Sequence, residues 1–257
     1  MNPIIHILPD STALAHAAAE AITSAIEVAL AAHAASETRS FTLCLSGGST
    51  PEVVYRLLAA APFCERIDWQ QVHLFWGDDR HVPPDHADSN YLMVREALLD
   101  HVAIPSHNVH RMRSELPAAQ AAADYEAELH TVFGDELPRF DLVLMGLGED
   151  GHTASLFPHT TVLHERTRWV AENTVPQLNI ERITLTIPVF NNAAAMLFLV
   201  AGASKAEAVA AILEGAPDPE TYPTQFIQPT NGTLTWLLDV PAAAQLQRLP
   251  EQPGTSS

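Results

Sequence analysis

The stretch Phe140-Asp-Leu-Val-Leu-Met-Gly-Leu-Gly-Glu-Asp-Gly-His152-Thr-Ala-Ser-Leu-Phe-Pro158 decides how the rest of the chain is read. An apolar run of strand length, Asp141–Met145, ends at Gly146. The glycine-rich turn that follows carries Glu149, Asp150 and His152 to the start of what reads as a short helix. In a parallel α/β sheet, ligands bind where strands end in such turns, at their carboxyl ends. His152 is therefore the first candidate for the group that does chemistry. At a helix N-terminus its imidazolium form is disfavoured by the dipole. The expectation is a neutral His152 near pH 7, the state a general base needs.

Working outward, apolar strand-length runs alternate with helical segments. Ile4–Leu8 reads as a strand, and Asp10 and Ser11 can cap the alanine-rich helix that follows to about His33. Phe41–Leu45 is a second strand, after which Pro51 opens a helix to about Ala60. Val72–Trp76 is a third strand; a polar loop then runs to Ser89, and a helix to Leu99. Ala118–Phe133 reads as a helix, Thr184–Ile187 and Ala195–Val200 as strands. Ser204 can cap a helix to Leu213, and Leu234–Leu238 can add a last strand. This alternation argues for one α/β domain over residues 1–249, its sheet mostly parallel with helices on both faces. Segments 100–120 and 214–232 fit the pattern less well. The Pro-, Gly- and Ser-containing tail 250–257 is expected to be disordered.

Three further turns follow predicted strands. Ser46-Gly47-Gly48-Ser49-Thr50 sits before a helix, where outward N–H groups and the dipole favour a phosphate. It lacks the lysine of a Walker A loop and the third glycine of a dinucleotide fingerprint. The loop Phe75-Trp-Gly-Asp-Asp-Arg-His-Val-Pro-Pro84 offers Arg80, whose fork suits phosphate or carboxylate, and Asp78, which can orient Arg80 or a histidine. Ala201-Gly-Ala-Ser-Lys205 puts a lysine at a helix start, a position the dipole disfavours unless an anion is bound. Arg182, ahead of Ile183–Ile187, is a more weakly placed cation. In a parallel sheet the strand ends share one edge, so these pieces can converge.

Bulk properties narrow the ligand. The 257 residues carry a formal charge of −18 with only 13 Lys and Arg, which argues against nucleic acid and against an acidic membrane surface. The two cysteines, Cys44 and Cys64, suggest neither a disulfide framework nor a zinc site. Cys44 reads as a buried thiol. Of the 13 histidines, His101, His107 and His110 lie closest together and read as surface residues, not metal ligands. No leader-like N-terminus is evident and no apolar stretch reads as a membrane span, so a cytoplasmic protein is expected. Oligomeric state is not legible.

Taken in order, Ser46–Pro51, Trp76–Pro83 with Asp88-Ser-Asn90, Gly146–Pro158, Arg182-Ile-Thr-Leu-Thr186 and Gly202-Ala-Ser-Lys205 resemble the 6-phosphogluconolactonase family. The resemblance implies a three-layer α/β/α fold of the kind shared with glucosamine-6-phosphate deaminase and ribose-5-phosphate isomerase. It implies hydrolysis of 6-phosphoglucono-δ-lactone in the oxidative pentose phosphate pathway, with no metal or other cofactor. Its partner would be that small sugar-phosphate lactone. The site residues would be His152, Arg80 and Asp78 for chemistry, with Ser46, Gly47, Gly48, Ser49, Thr50, Lys205 and Arg182 for substrate and phosphate. Asp78 or Glu149 would fix the tautomer of His152, and Glu149 and Asp150 beside it would be orienting or structural groups, not metal ligands. The family usually reads Asp-Glu-Arg where this chain has Asp78-Asp79-Arg80, which puts in doubt any role needing the reach of glutamate. An isomerase or deaminase on the same fold would instead move a proton between sugar carbons. A non-catalytic sugar-phosphate sensor would need a DNA-binding or partner module, and no helix-turn-helix or basic segment is evident.

Overall fold

The computed structural model describes residues 3–32, 40–176 and 178–247. The elements follow in chain order: β1 (Ile4–Leu8), α1 (Ser11–Ala32), β2 (Phe41–Leu45), α2 (Ser49–Leu58), α3 (Phe63–Arg66) and β3 (Val72–Trp76). Next come β4 (Asp78–Arg80), α4 (Asn90–Ala97), β5 (Val109–His110), α5 (Ala118–Phe133) and β6 (Leu142–Met145). The chain continues through β7 (Val170–Val175), β8 (Ile180–Leu185), α6 (Ile187–Asn191), β9 (Ala195–Val200), α7 (Ala206–Leu213) and β10 (Thr233–Asp239). The tail 250–257, expected to be disordered, lies outside the described residues.

Seven strands form one sheet in the order β1-β10-β9-β6-β2-β3-β5, and every pairing in it is parallel. The central strands are nearly continuous apolar runs because both faces are covered. All four residues of β6 are buried, and Leu43, Cys44 and Leu45 of β2 are wholly inaccessible. Burial, and secondarily the charge of Asp78, pushes the Cys44 thiol well above its ordinary pKa. Chain order reverses between β6 and β2, so the switch point where a crevice opens lies beside the first glycine turn.

Several expectations change. The loop after β3 contains strand β4, which joins β8 and β7 in a separate antiparallel sheet. Three residues reading Asp-Asp-Arg carry no apolar alternation, so only their partner strand reveals them. Helix α2 begins at Ser49, two residues before Pro51. Ser204 does not cap α7, which begins after Lys205 with no side-chain cap. No helix follows the turn at Gly146; residues 146–160 are turns and a single bridge. The dipole argument for a neutral His152 therefore does not apply.

Helix α1 has the length and apolarity of a membrane span, contrary to the reading of the sequence. Its face made of Leu14, Ala18, Ile22 and Ile26 is fully buried, as in the core helix of a globular fold. Asp10 caps it as expected, its Oδ1 accepting from the Ala13 N–H at 2.8 Å. His110 is not a surface residue: it is buried, stacked on Phe75 and hydrogen-bonded at both ring nitrogens.

Candidate active site

A cleft of about 240 Å³ opens at the carboxyl ends of β2, β3, β6 and β9. Its lining unites Ser46–Thr50, Asp78, Arg80, His152 and Lys205, which are spread over most of the chain. Arg182 is not among the lining residues. It lies across from Arg80 in the β4–β8 register. Its Nε is buried without a hydrogen-bond partner. Burial first, and the charge of Arg80 second, draw its pKa down.

The first wall is the turn between β2 and α2. The buried Tyr55 hydroxyl clamps Ser46, donating to its carbonyl at 2.8 Å and accepting from its N–H at 3.0 Å. Burial pushes the Tyr55 pKa up, so the phenol stays a neutral clamp. Gly48 is the N-cap of α2 and offers no side-chain cap, so the first N–H groups of that helix are left for a ligand.

The second wall is β4 with the start of α4. Asp78 is buried and its Oδ2 accepts from the Ser155 hydroxyl at 2.6 Å. It therefore holds the histidine loop from below and makes no hydrogen bond to His152. Asn90 lines the cleft and donates from Nδ2 to the Asp78 carbonyl at 3.0 Å. Asp79 is fully buried, and its carboxylate accepts from the backbone N–H groups of Arg80, Asn90 and Tyr91. Burial raises its pKa to about 6, against the lowering effect of those donors. This chain's aspartate is thus a structural anchor for the β4–α4 loop. Arg80 donates from Nη1 to the Asp88 carbonyl at 2.6 Å, which holds its guanidinium at the cleft edge.

The third wall carries His152. Its Nδ1 lies 2.5 Å from Asp150 Oδ1. The same oxygen accepts the His152 backbone N–H at 3.2 Å. The sequence reading offered Asp78 or Glu149 to fix the tautomer and left Asp150 as an orienting or structural group; the structure puts Asp150 on Nδ1. Partial burial works to raise the Asp150 pKa, but the hydrogen bonds and charge of His152 outweigh it and the net shift is downward. An ionised carboxylate only accepts, so Nδ1 carries a proton toward Asp150, and Nε2 is the ring nitrogen with no protein partner among the described residues. The ring stacks on Phe157 at 4.1 Å between centroids. A Cβ at position 148 would fall 2.1 Å from His152 Nδ1 and 2.6 Å from Asp150 Oδ1, so only glycine leaves room for this pair. An Asp-Gly-His spacing with a glycine two residues earlier is the signal that could have pointed to Asp150.

Lys205 closes the fourth wall at the start of α7, with Glu149 Oε1 3.9 Å from its Nζ. Glu149 is thus a loose partner of the lysine. Among the described residues no group of three or more His, Cys, Asp or Glu side chains is arranged to hold a metal ion.

A family model described as glucosamine-6-phosphate isomerases/6-phosphogluconolactonase matches residues 9–236. A 6-phosphogluconolactonase of Nostoc sp. is 42% identical over 250 residues, covering 96% of this chain and 99% of the relative. One of Synechocystis sp. is 43% identical over 252 residues, covering 96% of this chain and all of the relative. Among solved structures, 6-phosphogluconolactonase from Trypanosoma cruzi superposes with a TM-score of 0.82 at 29% identity, covering 96% of this chain and 99% of that one. A monomeric glucosamine-6-phosphate deaminase superposes with a TM-score of 0.75 at 22% identity, covering 94% of this chain and 99% of that one, a likeness of fold.

Proposed function

The chain belongs to the glucosamine-6-phosphate isomerase/6-phosphogluconolactonase family, and we propose that it hydrolyses 6-phosphoglucono-δ-lactone to 6-phosphogluconate with His152 as general base. The observation that carries this reading is the histidine pair. Asp150 occupies Nδ1 while Nε2 has no protein partner among the described residues, and the ring lines the same cleft as the α2 N-terminus and Lys205. The names of the relatives at 42% and 43% identity give the substrate.

In this reading the substrate phosphate rests on the free N–H groups at the start of α2, with Lys205 supplying charge. The lactone carbonyl then lies near His152. Nε2 takes a proton from water as the oxygen attacks C1, a contribution of about 10²–10⁴ in rate. Arg80 and backbone N–H groups stabilise the oxyanion that forms. The tetrahedral intermediate collapses by breaking the bond from C1 to the ring oxygen, and His152 returns its proton to that oxygen. The new carboxyl group releases one proton to solvent. A ring ester needs no covalent nucleophile, and in this reading the imidazole activates the water. A cytoplasmic setting and action in the oxidative pentose phosphate pathway follow from the same reading.

The family also contains isomerases, which would shift a proton at C2. A pH-stat assay with freshly made 6-phosphogluconolactone, run beside a deuterium-exchange assay on sugar phosphates, separates the two. Proton release from the lactone with no deuterium entering C2 is expected. Exchange at C2 without lactone hydrolysis would overturn the reading.

A further inference from the structure

Residues 214–232 fitted the strand–helix alternation less well, yet they contact Gly151, the residue before the candidate base. We infer that Thr224 is a positioning residue for His152, acting through the carbonyl of Gly151. The inference rests on the reading of His152 as the general base.

Thr224 lies in a single 3₁₀ turn, Pro223–Phe226, and is 2% exposed. Both its N–H and its hydroxyl donate to the Gly151 carbonyl, at 3.2 and 2.8 Å. That carbonyl shares one rigid peptide plane with the His152 N–H. The other edge of the plane is held too, since the His152 N–H donates to Asp150 Oδ1. The same oxygen holds ring Nδ1. The plane that sets where the imidazole starts is therefore clamped from both sides. Rotating it would break two bonds to Thr224 and turn the ring away from Asp150.

The clamp is itself anchored. Gly151 has φ +77°, and a Cβ there would fall 2.6 Å from Tyr222 Cδ1, so the Tyr222 ring seats directly on the glycine. The Tyr222 N–H donates to the Asp218 carbonyl at 2.8 Å. The His159 N–H donates to the Glu220 carbonyl at 3.2 Å, tying the far end of the histidine loop to the same segment. Gln225 Nε2 donates to the Ala211 carbonyl of α7, the helix that begins after Lys205. One segment thus fixes the base relative to the phosphate-side lysine, which is what a reaction sensitive to ångström displacements requires.

The test compares Thr224→Val, which keeps shape and N–H but loses the hydroxyl, with Thr224→Ser, which keeps it. His152→Asn runs alongside, and 6-phosphogluconate is the binding probe. Thr224→Val is expected to lower kcat about tenfold with KM and product affinity unchanged, and Thr224→Ser to restore kcat. Should Thr224→Val not fold, Thr224→Ala against Thr224→Ser gives the same contrast. Wild-type kcat in the hydroxyl-free variant, with His152→Asn inactive, would overturn the positioning role and leave the base intact. So would a loss shared equally by Ser and Val, or one seen only in product affinity. An active His152→Asn would instead remove the base, and the inference with it.

Discussion

His152 and His110 both set Nδ1 against a carboxylate oxygen, Asp150 at 2.5 Å in one case and Glu128 at 2.6 Å in the other. Both rings stack on a phenylalanine. They differ at the far nitrogen. His110 Nε2 lies 2.9 Å from His73 Nδ1, so that nitrogen too has a protein partner. His110 therefore has both nitrogens spent, and its side chain is 5% exposed, wedged between β3 and α5. Burial first, then the neighbouring His110 and His107, lower the pKa of His73. His152 is 29% exposed and opens Nε2 to a cleft lined by helix N–H groups and two cations. A carboxylate–histidine pair alone thus describes a packing device as well as the proposed base. The free nitrogen and the ligand-sized cleft make the distinction.

Breaking the pair at the site is expected to have the largest effect among the neighbours of His152. Asp150→Asn removes the acceptor that fixes the tautomer, and kcat for the lactone should fall about 10²-fold with little change in KM. Steady-state kinetics at saturating lactone checks this.

The second contrast is between two carboxylates. The histidine partner draws the Asp150 pKa down, while burial raises that of Asp79 to about 6. A carboxyl whose folded pKa exceeds its unfolded value of 3.8 binds its proton more tightly when folded. Its stabilising contribution is full below about pH 4 and is lost as pH rises to about 6. Relative to Asp79→Asn, the wild-type protein should lose on the order of 2 kcal/mol across that window. Denaturant melts of both proteins from pH 4 to 7 read the difference, and parallel curves would contradict it.

A smaller effect concerns the anion side of the cleft. Lys205→Ala should lower kcat/KM about tenfold on the phosphorylated lactone, the size of one charge-assisted hydrogen bond. It should leave the unphosphorylated lactone nearly unchanged. Equal losses on both would remove the lysine from phosphate binding.

Much of this was legible because strand ends announce themselves. Val72–Trp76, Ala118–Phe133 and Ala195–Val200 have the boundaries that apolar runs and composition suggest. A parallel sheet then forces the turns after Leu45, Met145 and Val200 onto one edge. What stayed hidden depends on contacts far apart in sequence. Strand β4 exists only through its pairing with β8. The role of Asp150 depends on the backbone folding back through Gly151, where a helix was expected. Asp78 bonds to Ser155, 77 residues on, and not to the histidine. The burial of His110 comes from α5 laying Glu128 over β5, which spacing around Pro105 does not reveal.

The most direct measurement assays His152→Asn and His110→Asn side by side in a pH-stat with fresh 6-phosphogluconolactone, each normalised to folded protein. His152→Asn is expected to lose about 10²–10⁴ in kcat while His110→Asn, though less stable, keeps the wild-type value. Near wild-type hydrolysis by His152→Asn, or an equal loss in both variants, would contradict that expectation.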